Sequence, residues 1–139
     1  MSTGTTVSLL APPPAPLITL ESAPYWDAAK DQSLLVKRCD DCNQPHFYPR
    51  DICPHCLSTR TRWVEASGNA TLYSFSRTLT KEGEYVLAYV RLEEGVTLMT
   101  NLVDYVPGNL KVDMPLSVVF VPTADGKYAV PMFRPAEAQ

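Results

Sequence analysis

From Ala70 onward the chain alternates short apolar-rich segments with turn signals. Segments at residues 70–79, 85–92, 96–103, 116–122 and 127–133 read as strands, because β-branched and aromatic residues dominate them. Glu82-Gly83, Glu94-Gly95, Pro107-Gly108 and Asp125-Gly126 break them, and each pair supplies the chemistry that a hairpin or longer loop requires. Residues 85–90, Tyr-Val-Leu-Ala-Tyr-Val, are apolar at every position, which predicts a central strand covered on both faces. Five short strands in so few residues suit a small closed barrel, with an OB-type Greek-key barrel as the leading candidate.

The first third of the chain has a different texture. Residues 1–17 mix Ser, Thr and Gly with Pro12-Pro13-Pro14-Ala15-Pro16, a composition that favours an extended arm and no core. With the connection that follows, this flexible Pro-rich arm covers residues 1–21. A short helix is expected next. Ser22 can cap it and Pro24 suits its first turn. Tyr25, Trp26 and Ala29 then share a face, with Asp27, Lys30 and Asp31 elsewhere. Two large aromatics on so short a helix need a seat, on the main body or on another protein. Residues 34–37 look like a lead-in strand, and residues 60–66 look like an extended exit carrying Trp63. The expected divisions are 1–21 for the arm, 22–36 for helix and lead-in strand, 37–62 for a metal module and 63–136 for the barrel.

All four cysteines fall in that module: Cys39-Asp40-Asp41-Cys42 and, after ten intervening residues, Cys53-Pro54-His55-Cys56. A Cys-x-x-Cys pair makes a tight knuckle whose sulfurs converge, and two knuckles supply a tetrahedral thiolate set suited to Zn²⁺. Asn43 follows the first knuckle and tolerates the left-handed backbone that closes such a turn. Two disulfides would need an oxidising compartment. A single iron uses the same ligand type, but the rubredoxin spacing between knuckles is longer. Four thiolates close the coordination sphere, which points to a structural rather than a catalytic ion. His46 and His55 sit inside the module but are not needed as ligands. They are expected at the surface or in contact with the ligands.

Composition narrows the function. Apolar residues make up 45% of the 139, enough for a real core. The net charge is −3, with five Lys/Arg against three Asp/Glu in residues 37–62 and six against nine in residues 63–139. That lacks the basic footprint of a nucleic-acid binder. No apolar run approaches the roughly 18–20 residues that span a bilayer. The N-terminus lacks a basic n-region, and residues 7–11 are too short for a signal segment. A cytoplasmic protein with reduced thiols is expected.

Taken together, Cys39-x-x-Cys42, His46-Phe47-Tyr48-Pro49-Arg50, Cys53-Pro54-x-Cys56, Trp63-Val64-Glu65-Ala66-Ser67-Gly68, Glu94-Gly95 and Met132-Phe133-Arg134-Pro135 resemble the DUF35 family. The resemblance covers roughly residues 22–136 and departs at Asn43, where the family usually has Gly. It implies a mainly β protein: a short helix, a rubredoxin-like zinc ribbon, then a five-stranded OB-fold barrel. It further implies a non-catalytic accessory subunit of a thiolase-fold enzyme acting on acyl-CoA thioesters, such as a thiolase, retro-aldolase or acyltransferase. Two copies would sit on a catalytic dimer, and acyl-CoA itself is a further expected contact.

The residues agree on the missing chemistry. Thioester exchange on a thiolase needs a Cys nucleophile with His partners, and here the metal takes every Cys. The serines lie in no nucleophile motif. Tyr73, Tyr85 and Tyr89, on expected strands, read as core. Tyr25, Trp26, Arg50 and Arg77 remain as candidate contacts to a partner or to CoA, the arginines for phosphate or carboxylate. The alternatives are a single-stranded nucleic-acid-binding OB and zinc-ribbon module, and a stand-alone acyl-CoA enzyme. An accessory chain should also expose an apolar patch when alone.

Overall fold

Regular structure begins with α1 (Ala23–Lys30) and continues through β1 (Leu35–Cys39), β2 (Pro45–His46) and β3 (Thr61–Glu65). Then come β4 (Asn69–Thr80), β5 (Gly83–Leu92), β6 (Thr97–Leu102), β7 (Pro115–Pro122) and β8 (Ala129–Pro135). These elements belong to a computed structural model in which residues 6–136 are described. The first three strands form a sheet in the order β2-β1-β3, and the last five close a barrel in the order β4-β5-β6-β8-β7. The architecture is that expected from the sequence: one short helix, a ribbon, then a five-stranded OB-type barrel. No described helix is long and apolar enough to cross a membrane.

The barrel closes because β4 serves two neighbours. Its register shifts between Leu72 and Ser74, which leaves Tyr73 unpaired. Such a bulge bends a strand. Residues 69–71 pair with β7, while Ala70 to Thr80, apart from Tyr73, pair with β5. One parallel contact, Leu102 against Phe133, joins β6 to β8, and the Val103 N–H donates to the Phe133 carbonyl at 2.9 Å beside it. Inside lie Leu72, Val86, Val90, Leu92, Leu102, Leu116 and Phe133, all fully buried.

β5 is central, hydrogen-bonded to β4 and β6, but it is not buried on both faces. Val86, Ala88, Val90 and Leu92 point inward, whereas Leu87 and Tyr89 are 41% and 47% exposed. The expectation of two covered faces fails because an antiparallel barrel has a single inner side. Its outer side is covered only where another element lies. Tyr73 is also exposed rather than core.

Ser22 occupies the cap position of α1 but makes no capping hydrogen bond. Its hydroxyl instead accepts from the Thr19 N–H at 3.0 Å. At the other end Gln32 adopts a φ of 62°, and the N–H groups of Gln32 and Ser33 return to the carbonyls of Ala29 and Ala28. The left-handed residue ends the helix in this way. Tyr25, Trp26 and Ala29 are the buried face, seated on the chain's own body.

The described part of the arm, expected to be flexible, is tied to the barrel. Val7 and Tyr105 exchange backbone hydrogen bonds of 2.7 and 3.1 Å. The Ser8 hydroxyl donates to Asp104 Oδ1 at 2.7 Å, and the Ala124 N–H donates to the Pro13 carbonyl at 2.8 Å. The chain leaving β6 has unpaired backbone groups, and the arm pairs them. The part of the expected arm at residues 1–5 lies outside the described residues.

β3 pairs with β1 from Leu35–Glu65 to Cys39–Thr61, which completes the ribbon sheet. Leu34, Val36, Trp63 and Val64 join the same apolar cluster as the barrel interior. Gly68 makes the turn between the two parts at a φ of +88°, and a Cβ there would meet Val118 Cγ1 at 2.6 Å.

Candidate functional site

The two knuckles are built alike. The N–H of Asp41 donates to Cys39 Sγ, and that of His55 to Cys53 Sγ, each at 3.4 Å. The N–H of Cys39 reaches the Gln44 carbonyl at 3.0 Å, and that of Cys53 reaches the Ser58 carbonyl at 2.8 Å. Each knuckle ends on a left-handed residue, Asn43 at φ 62° and Leu57 at φ 67°. Sequence reasoning found Asn43. It missed Leu57, because a γ-branched residue gives no signal for that conformation.

The knuckles bring all four sulfurs within 4.8 Å of one another. Cys39 Sγ and Cys56 Sγ are 3.6 Å apart, and Cys42 Sγ and Cys53 Sγ are 3.7 Å apart. A tetrahedral zinc with Zn–S near 2.3 Å requires about 3.8 Å between sulfurs. The donor set therefore fits Zn²⁺, and it is complete without water or substrate.

Charges steady the ribbon around this centre. Asp40 and Asp41, the two residues inside the first knuckle, pair with Arg62 at 2.7 Å and Arg60 at 2.8 Å. Asp41 also accepts from the Ser58 hydroxyl, which ties one knuckle to the other. Lys37 is buried, 3.5 Å from Asp51 Oδ1 and 4.6 Å from the centre of the Trp63 ring. Neither histidine is among the ligands. Buried His46 places Nε2 3.3 Å from the Arg50 N–H, and burial pushes its pKa down, toward the neutral ring. His55 touches the centre through its backbone, and its ring lies 3.2 Å from the Pro45 carbonyl.

Beside the ribbon is an aromatic cluster. Tyr25 meets Trp26 edge-on at 4.8 Å, Phe47 at 5.4 Å and Tyr48 at 6.0 Å. Trp26 Nε1 donates to the Tyr48 hydroxyl at 2.9 Å. The cluster forms one wall of a groove of about 470 Å³, and Tyr89, Met99 and Asn101 of the barrel are on its other side. No charged residue lines it.

The four candidate contacts thus lie in different settings. Tyr25 and Trp26 are largely buried but line this groove. Arg50 is exposed and lines a separate depression with Tyr48, Ile52 and Leu57. Arg77 grips Glu84 with two bonds of 3.1 and 2.8 Å. The Tyr105 hydroxyl joins them, donating to Glu84 at 2.9 Å. Sequence inspection did not find Tyr89 and Met99 as groove residues, because only the fold brings them to Tyr25.

A rubredoxin-like zinc ribbon followed by an OB barrel defines the class. Family profiles for the ChsH2 rubredoxin-like zinc ribbon domain and the ChsH2 C-terminal OB-fold domain match residues 26–62 and 63–121. A probable enoyl-CoA hydratase alpha subunit of Thermomonospora curvata is 36% identical over 131 residues. That match takes in 91% of this chain and 41% of the relative, so the chain spans less than half of that subunit. A DUF35 domain-containing scaffold protein of Methanocaldococcus jannaschii is 30% identical, over 68% of this chain and 73% of its own length. A solved structure described as an Ltp2-ChsH2(DUF35) aldolase contains a chain that superposes with a TM-score of 0.78 at 35% identity. It covers 88% of this chain and 100% of that one. This chain belongs to the DUF35 family, in its ChsH2 branch, and Zn²⁺ is its structural cofactor.

Proposed function

We propose that this chain is a non-catalytic accessory subunit that docks on a thiolase-fold enzyme acting on acyl-CoA thioesters. The observation that carries the reading is the match along the whole ChsH2 chain of an Ltp2-ChsH2 aldolase. The chemistry agrees with it. The four thiols that could attack a thioester converge on one metal position, and a closed tetrahedral centre offers no open site.

Two finer points belong to the same proposal. Two copies would sit on a catalytic dimer, one per catalytic chain. The groove beside Tyr25 and Trp26 would take the apolar acyl end of a thioester, because its lining is aromatic, apolar or neutral. CoA phosphates need cations, which that groove does not offer. Of the two candidate arginines, Arg50 is the better placed for a phosphate, since Arg77 already holds a carboxylate.

The test is co-expression with the Ltp2 chain of the solved complex. The expected outcome is a stable complex with aldolase turnover, and no turnover by this chain alone. Turnover by the isolated chain, or an Ltp2 chain indifferent to its presence, would overturn the reading. For the acyl end, a long-chain acyl-CoA should bind the complex more tightly than free CoA. Equal affinities would remove the groove from the proposal.

A further inference from the structure

The outside of the barrel has two apolar faces, and the chain covers one of them itself. On β7 and β8 the outward pairs are Val119–Met132 and Val121–Val130. α1 packs on β8, where Met132 is buried, and the arm at Ser8–Pro12 stands over Val119 and Val121. On β5 and β6 the outward pairs are Leu87–Asn101, Tyr89–Met99 and Arg91–Thr97, so three large apolar side chains sit among polar neighbours. Tyr89 lies directly opposite Met99, and Leu87 is two residues along on the same side. Nothing among the described residues covers them: Leu87, Tyr89 and Met99 are 41%, 47% and 56% exposed. Tyr73, freed by the bulge in β4, extends the patch at 52% exposure.

This open face is the one on which OB barrels hold their ligands, the surface of the second and third strands. Its charge decides what it can hold. Arg91 is the one formal charge among the outward side chains of these strands away from the turns, and its guanidinium stacks on Tyr73 at 4.7 Å. Arg77 is on the other side of the sheet, opposite Val86, and is paired with Glu84. A nucleic-acid strand needs a row of cations as well as aromatics, and this face has no such row. An antiparallel strand facing water would alternate to polar residues, whereas β5 carries Leu87 and Tyr89 at successive outward positions. Exposed aromatics and Met around one stacked Arg match the composition of protein interface cores.

We infer that the outer face of β5 and β6, centred on Leu87, Tyr89 and Met99, is the surface that seats the catalytic subunit. This rests on the accessory-subunit reading and adds the place of contact. The surface it fits is apolar, with an acidic group opposite Arg91. Tyr89 and Met99 belong to both this face and the aromatic groove, so a partner docked here also covers the mouth of the groove.

The test uses the full chain with the Ltp2 chain of the solved complex as probe. Leu87→Lys/Met99→Lys places two charges in the face. Leu79→Lys/Val112→Lys places two charges on exposed apolar residues elsewhere. All the sites are exposed, so both variants should keep zinc content and thermal midpoint close to wild type. The expected result is a loss of Ltp2 affinity on the order of tenfold or more for the first variant and little change for the second. Wild-type affinity in the Leu87→Lys/Met99→Lys variant would overturn this surface while leaving the accessory reading intact. No Ltp2 binding by wild type would instead strike the accessory reading, and the inference with it. A wild-type dimer that the same variant makes monomeric would assign the face to a second copy and overturn the inference.

Discussion

The ribbon and the barrel solve the same problem with different means. The barrel excludes water from a continuous apolar interior, and its strands fold around Leu72, Val86, Val90, Leu102 and Phe133. The stretch from Cys39 to Ser58 has two-residue β2 as its only regular strand beyond β1, and its buried residues are chiefly cysteines, His46 and Pro49. So short a segment cannot bury enough apolar surface to hold itself, and a metal substitutes for the core. The two parts meet at Leu34, Val36, Trp63 and Val64, which belong to the barrel's cluster. The base of the ribbon is therefore held by packing and its tip by zinc.

This contrast can be broken from either side. The largest effect is expected at the metal. Cys39→Ser removes a buried ligand and should take zinc content from one ion per chain to none, with loss of order across the tip. Zinc analysis and amide spectra check this, and the barrel signals should survive. Phe133→Ala makes the converse break. It should cost about 3–5 kcal/mol of barrel stability in chemical denaturation, while the native fraction keeps its zinc.

A smaller effect tests the clamp at the barrel's end. Arg77 and the Tyr105 hydroxyl hold the Glu84 carboxyl below its ordinary pKa, Arg77 most strongly. A group whose folded pKa is depressed stabilises fully above its unfolded value, near 4.3 for Glu, and that stabilisation is lost as pH falls through the folded value. The advantage of wild type over Glu84→Gln should therefore be constant from neutral pH to about pH 5 and shrink below about 4.3. Denaturation midpoints across that range give the answer, and an advantage that grows on acidification would contradict the assignment. The smallest effect is at Leu57. Its left-handed backbone strains a branched residue, and its side chain is exposed. Leu57→Gly should raise ribbon stability by up to about 1 kcal/mol, read as slower zinc release to a chelator.

The sequence made the metal centre and the barrel legible for different reasons. A Cys-x-x-Cys pair fixes its local geometry within four residues, so two pairs specify the site before any long-range fold is known. The barrel strands were legible because turn residues bound them and apolar residues fill them. Alternation was harder to read. Leu87 and Tyr89 look as apolar as Val86 and Val90, so the run of residues 85–90 concealed which side faces out. The arm was misread because its composition favours an extended chain, and composition cannot show that Tyr105 has backbone groups to pair with Val7. The groove was out of reach altogether, since its walls come from α1, the ribbon and the barrel.

The most direct test of the ribbon–barrel contrast is hydrogen exchange on the full chain with zinc bound and after chelation. Zinc as a staple predicts that amides between Asp40 and Ser58 lose protection on chelation, while those of β5 and β6, from Val86 to Leu102, keep theirs. Loss of protection in both regions together would show that the barrel depends on the metal. Full protection of the ribbon without zinc would show that the metal does not hold it.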